Sequence, residues 1–206
     1  FTLPSICMMI FTSIYGMVDG FFISNIVGKT AFASVNLIIP FLQILGGFGA
    51  MLGVGGSALV AKTLGEGDIH RARRYFTMMM YLMLGTSLFF TVVGIATLRP
   101  VAYLFGATDA MIDDVMTYGT ICLLFNVALH AQYTFQSYLI VAEKPKLALG
   151  VIVAAGISNM ILDYVLMAVI PMGIAGAALA TGLSQCVAGI IPLVWFLSKR
   201  NRSSLR

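Results

Sequence analysis

The sequence predicts an all-α polytopic membrane protein, and three observations carry that prediction. Of 206 residues, 60% are hydrophobic and only 10% charged. The mean hydropathy is +0.98. The charges gather in short stretches between long apolar runs, a pattern that suits lipid rather than the core of a soluble domain. Runs long enough to cross ~30 Å of hydrocarbon at ~1.5 Å per residue cover residues 2–27, 31–61, 75–98, 115–142, 147–170 and 173–198.

Each run has its own marks. The first carries Pro4 near its start and Asp19 toward its far end. It is too long for a signal peptide and lacks a basic leader and a small-residue cleavage site. The start on Phe1, almost inside this span, is expected of a fragment of a longer chain. The second run holds Asn36, Pro40 and Gln43 on one side, then glycines at 46, 47, 49, 53, 55 and 56. No strand precedes these glycines and no Walker-type Lys-Ser/Thr follows, so they read as packing glycines that let helices approach closely.

The third run follows the polar connection Lys62 to Arg74, in which Gly65 and Gly67 mark a helix stop and a turn. It contains Met78, Met79 and Met80, adaptable apolar side chains. The fourth carries Asn126, His130, Thr134 and Ser137 at helical spacing. That stripe either lines a cavity or joins helices through hydrogen bonds worth roughly 0.6–2 kcal/mol each. His130 is likewise either a proton relay or an interhelical donor. The fifth run starts after Lys144-Pro145-Lys146 and contains Asn159 and Asp163; the sixth contains Thr181. The six fill the chain as a single membrane unit, 1–206.

The cations set an orientation. Lys62, Arg71, Arg73, Arg74, Lys144, Lys146, Lys199, Arg200, Arg202 and Arg206 share one side of a six-span arrangement, and only Lys29 and Arg99 lie opposite. The positive-inside rule then puts both ends of the chain in the cytoplasm of a cell bounded by its inner membrane. Cations at helix ends imply no nucleic-acid partner. Cys7, Cys122 and Cys186 lie inside apolar spans without paired spacing and read as small buried hydrophobes.

Asp19 and Asp163 are the residues that need a reason. A carboxylate at mid-membrane costs roughly 2.5–3.5 kcal/mol on insertion scales, which makes each a candidate for an ion, proton or substrate pathway. The alternative is a structural pair of buried acids. In the predicted orientation Asp19 and Asp163 sit about 17 and 16 residues into outward-running spans, at similar depth on a ~1.5 Å rise. Asn159 lies one turn from Asp163 on the same face, and Thr181 enters from the sixth span close to that level. Two carboxylates, an amide and a hydroxyl form an oxygen-rich group suited to a proton or a small hard cation such as Na+. Neighbouring carboxylates tend to hold a proton between them.

Several stretches together resemble the amino-terminal lobe of the multidrug and toxic compound extrusion (MATE) transporters, nearest the DinF-like branch. They are Pro4 with Tyr15-Gly16-Met17-Val18-Asp19; Leu64-Gly65-Glu66-Gly67-Asp68 followed by Ala72; Lys144-Pro145-Lys146; Asn159-Met160-Ile161-Leu162-Asp163; and Gly173 to Thr181. The resemblance runs the length of the chain. It implies two six-helix lobes around a central cavity, of which this chain is one, so a second lobe is an expected partner.

It further implies a secondary transporter, not an enzyme, that exports cationic or amphiphilic drugs in exchange for H+ or Na+ and uses no cofactor. Asp19, Asn159, Asp163 and Thr181 then correspond to the cation site, with no metal other than Na+ there, and Pro4 to a candidate helix hinge. Tyr15, Asn36, Gln43, Asn126 and His130 are candidates for the cavity lining. A flippase for lipid-linked saccharides shares the two-lobe plan and is the alternative, although such a protein would show basic residues facing the cavity. A third reading is a structural or regulatory membrane protein with no transport of its own.

Overall fold

A computed structural model describes residues 2–198, without the side chains of 2–5, 7 and 9. Lys199, Arg200, Arg202 and Arg206 of the basic side, and the side chain of Cys7, lie outside the described residues. The fold is entirely helical among those described: α1 (Thr2–Phe22), α2 (Lys29–Gly65), α3 (Ile69–Leu104), α4 (Ile112–Leu124), α5 (Asn126–Val141), α6 (Pro145–Asp163) and α7 (Ile174–Leu197). Two π-helical turns, Ile23–Val27 and Tyr164–Val169, extend α1 and α6.

Five of these units are individually long and apolar enough to span a bilayer, and α4 with α5, bent by 51°, make a sixth when the pair is counted as one broken span. The bundle packs as two groups, α2 with α3, α4 and α5, and α6 with α1 and α7; α7 also contacts α4 and α5 and so joins them.

The second and third helices run well past the apolar limits at residues 61 and 75. At 37 and 36 residues they are each roughly 55 Å long at ~1.5 Å per residue, nearly twice the hydrocarbon thickness. The connection Lys62 to Arg74 is therefore almost all helix. Only Glu66 to Asp68 leaves it, turning on Gly67 at φ 84°, a left-handed conformation that glycine adopts without steric cost. Asp68 restarts the helix by accepting the Arg71 amide at 2.9 Å, which satisfies one of the free N–H groups of a helix start.

Glycines set the approach of α2 to α5. A side chain on Gly49 would meet the His130 ring at 2.7 Å, and one on Gly56 would meet the Tyr138 hydroxyl at 2.7 Å. Small residues are the usual means of close packing between membrane helices, where no hydrophobic force drives association.

The fourth span breaks at Phe125, which no proline or glycine predicts. The break is tied to α3: Thr91 Oγ1 donates to the Leu123 carbonyl at 3.2 Å, and the Asn126 side chain donates through Nδ2 to the Ser87 carbonyl at 3.1 Å. Phe125 itself lodges against Gly182 of α7, where even a methyl group would collide with the ring. By contrast Pro40, Pro100 and Pro192 lie inside unbroken helices.

Candidate cation site

The first carboxylate comes from α1 and the second from the last residue of α6, two helices that pack along their length. Their crossing is close because Gly156 lacks a side chain. A Cβ there would lie 2.7 Å from the Phe11 ring and 3.2 Å from Tyr15. The Asp19 and Asp163 carboxyl groups lie within hydrogen-bonding reach of one another. Asp163 has no exposed surface and Asn159, one turn earlier, is 1% exposed. Asp19 Oδ1, Asn159 Oδ1 and both oxygens of Asp163 are buried without a hydrogen-bond donor from the described residues. Buried acceptors normally have a partner, so this group is short of positive hydrogen or positive charge.

Thr181 is brought to the same neighbourhood through a residue that sequence reasoning passed over. The Tyr118 hydroxyl, from α4, lies within hydrogen-bonding reach of Thr181 and of Cys122 and near Asp19. Tyrosine is common in membrane spans, so nothing in the sequence singles it out; only the bundle geometry does.

Both π turns adjoin these carboxylates. One starts four residues after Asp19 and the other directly after Asp163. Gly28 N–H donates to the Ile23 carbonyl at 3.0 Å and Ile170 N–H to the Val165 carbonyl at 2.8 Å, the five-residue spacing of a π turn. Such turns inside membrane or soluble helices frequently accompany functional sites. The second is held onto α7 by close backbone approach, because a side chain on Gly176 would lie 2.6 Å from the Leu166 carbonyl.

The site is unequal in access. Asp19 borders a groove of about 560 Å³ between α1 and α2, whose polar lining includes Ser24, Asn25 and Asn36. Asn36 is exposed there, its amide turned back to the Phe32 carbonyl at 2.8 Å. Gln43 is exposed further along α2, and Tyr15 is half-buried at the crossing of α1 and α6.

Asn126 and His130 are instead fully enclosed. Asn126 bonds α3, and His130 Nδ1 meets the Asn126 carbonyl at 3.0 Å against Gly49. In this lobe the Asn126 side chain joins α5 to α3, whereas His130 hydrogen-bonds only within its own helix, has its Nε2 buried without a partner among the described residues, and packs against α2. Thr134, with its hydroxyl 3.5 Å from the Gly49 carbonyl, joins α5 to α2. Pro4 falls in the first turn of α1, and its side chain lies outside the described residues. Among the described residues no three His, Cys, Asp or Glu side chains cluster as a metal site.

A helical membrane lobe with an oxygen-rich group at the junction of three spans and a polar groove beside it has the architecture of a secondary transporter. The MatE family model matches residues 4–165, and the chain belongs to that family of secondary transporters, which are not enzymes. It is similar to the multidrug export protein MepA of Staphylococcus haemolyticus strain JCSC1435, at 24% identity over 204 residues covering 98% of this chain and 45% of that protein. MepA of Staphylococcus aureus strain MRSA252 is 22% identical over 198 residues, covering 96% of this chain and 44% of that one.

Among solved structures, MATE in the straight conformation gives a TM-score of 0.88 at 24% identity over 97% of this chain and 44% of that chain. MATE in the bent conformation gives 0.89 at 23% identity over 96% and 44%. A MOP superfamily transporter from Pyrococcus furiosus gives 0.89 at 23% identity over 98% and 44%. These likenesses show the fold of one lobe. The chain spans less than half the length of the curated relatives it matches.

Proposed function

We propose that this chain is one lobe of a multidrug exporter that releases cationic or amphiphilic small molecules outside the cell in exchange for H+ or Na+ bound at Asp19, Asn159, Asp163 and Thr181. The observation that supports it most directly is the closeness of Asp19 to the enclosed Asp163, in a group whose buried acceptor oxygens have no donor among the described residues. A proton or a sodium ion supplies what that group lacks, and oxygen ligands suit either. Tyr118 positions the Thr181 hydroxyl within the same group.

Cation occupancy neutralises the pair, changes the packing of α1, α6 and α7, and lowers the affinity for a cationic drug held in the cavity. A second six-helix lobe completes that cavity, and Tyr15, Asn36 and Gln43 belong to the wall this lobe contributes. Pro4 is a hinge of the first span in this scheme. The protein sits in the inner membrane with both ends of this chain cytoplasmic, as the cation count argues. Within the family, the motifs quoted above favour the DinF-like branch.

Efflux of a cationic dye from pump-deficient cells expressing the full-length protein tests this, under imposed proton or sodium gradients and beside Asp163→Asn. Gradient-driven efflux that the substitution abolishes at normal membrane levels is the expected result, and the effective gradient names the ion. Undiminished coupled efflux from Asp163→Asn overturns the site. Absence of efflux from well-expressed wild type overturns the function and favours the lipid-linked saccharide flippase.

A further inference from the structure

We propose that the outer face of α3 binds one anionic phospholipid, its phosphate at Arg71 and Arg74 and an acyl chain laid along the helix to Gly85. Two shallow grooves on this face share Arg74 and Met78. One, about 530 Å³, is bounded by Arg71 and Tyr75; the other, about 720 Å³, runs on past Tyr81 and Leu82 to Gly85. The face is open: Tyr81 is 72% exposed.

The charge at one end is complementary to phosphate. Arg71 is held in place by Tyr75, with Nε donating to the hydroxyl at 3.0 Å and the guanidinium 5.5 Å from the ring centre. Planar guanidinium groups suit phosphate geometry. Arg74 is exposed beside it on the same face.

Below the arginines the face turns apolar although it contains two threonines. Thr77 Oγ1 donates to the Arg73 carbonyl at 3.0 Å and Thr86 Oγ1 to the Leu82 carbonyl at 2.8 Å, so both hydroxyls are spent within the helix. A side chain on Gly85 would meet nothing within 4 Å, which leaves a notch at the end of the groove. From Arg74 to Gly85 the helix rises ~16 Å at ~1.5 Å per residue, close to the ~15 Å hydrocarbon depth of one leaflet. Basic residues at the membrane edge are attracted to anionic lipid surfaces, and here the apolar groove continues directly from them.

Native mass spectrometry of the purified full-length protein, titrated with phosphatidylglycerol or phosphatidylcholine, tests the assignment. The expected result is one retained phosphatidylglycerol, with affinity weakened about tenfold by Arg74→Gln. Gly85→Ile, which fills the notch without a clash, weakens it as well, and phosphatidylcholine is not retained. Size-exclusion profiles of both exposed-face variants check that they fold. Equal retention of the two lipids, or wild-type affinity in both variants, overturns the proposal. So does a face occupied by a second protein copy in place of lipid.

Discussion

Asp163 is wholly enclosed, whereas Asp19, which it touches across the packing of α1 on α6, borders an open groove. The two acids therefore stand in series, and in the exchange proposed above a cation arriving through the α1–α2 groove meets Asp19 first.

Thiol labelling tests that order. In a background with Cys7, Cys122 and Cys186 replaced by alanine, Asp19→Cys reacts with a small hydrophilic thiol reagent roughly tenfold faster than Asp163→Cys, since an enclosed group reacts only through local opening. Equal rates place both residues at the same surface.

The break at Phe125 depends on the absence of a side chain at 182. Gly182→Ala drives a methyl group into the Phe125 ring and is expected to cost ~1–3 kcal/mol, the usual penalty for overpacking. Combining it with Phe125→Ala recovers part of that loss in a thermal melt of purified protein. A fully additive pair shows that the two residues do not pack as described.

Thr91 closes the same break from α3. Thr91→Val removes the donor to the Leu123 carbonyl and a neighbour of Asn126, with an expected cost of ~0.6–2 kcal/mol for an interhelical hydrogen bond in a membrane protein. Thr86→Val is the control, because that hydroxyl bonds only within its own helix; its effect stays within ~0.5 kcal/mol. Similar denaturation midpoints for the two variants refute the role of Thr91.

At the α2–α3 turn, Asp68→Ala uncaps α3. Loss of this cap is expected to cost ~0.5–2 kcal/mol. Because it acts on one helix end, the readout is hydrogen exchange at the Arg71 amide, accelerated about twofold to thirtyfold. Removing the exposed pair Lys62 with Glu66, 3.9 Å apart, changes little by comparison, as surface pairs contribute ~0–1 kcal/mol.

The carboxylates were legible in the sequence because a charge in an apolar run is costly wherever the run folds. Their partners were legible where one helix carries both, as Asn159 and Asp163 do. Tyr118 was not, since only the packing of α4 on α7 brings it to Thr181. Hydropathy marked the apolar stretches but stopped at Lys62 and Arg74, whereas the backbone keeps coiling in water for as long as hydrogen bonds and a cap allow. The bend at Phe125 escaped because its cause lies elsewhere in the chain, in Thr91, Ser87 and Gly182. The π turns escaped because a shift of one residue in backbone pairing leaves no mark on composition.

Those turns give the site mechanical leverage. A π turn holds one more residue per loop of backbone than the α-helix around it. Tightening either turn to α form would advance everything beyond it by about one helical rise, ~1.5 Å, and swing it by roughly a quarter turn. Ile23–Val27 and Tyr164–Val169 touch each other and sit immediately outside Asp19 and Asp163. In the proposed exchange, slack is thus stored beside the carboxylates that gain and lose charge, and neutralising one is converted into axial travel of two spans with no helix having to break.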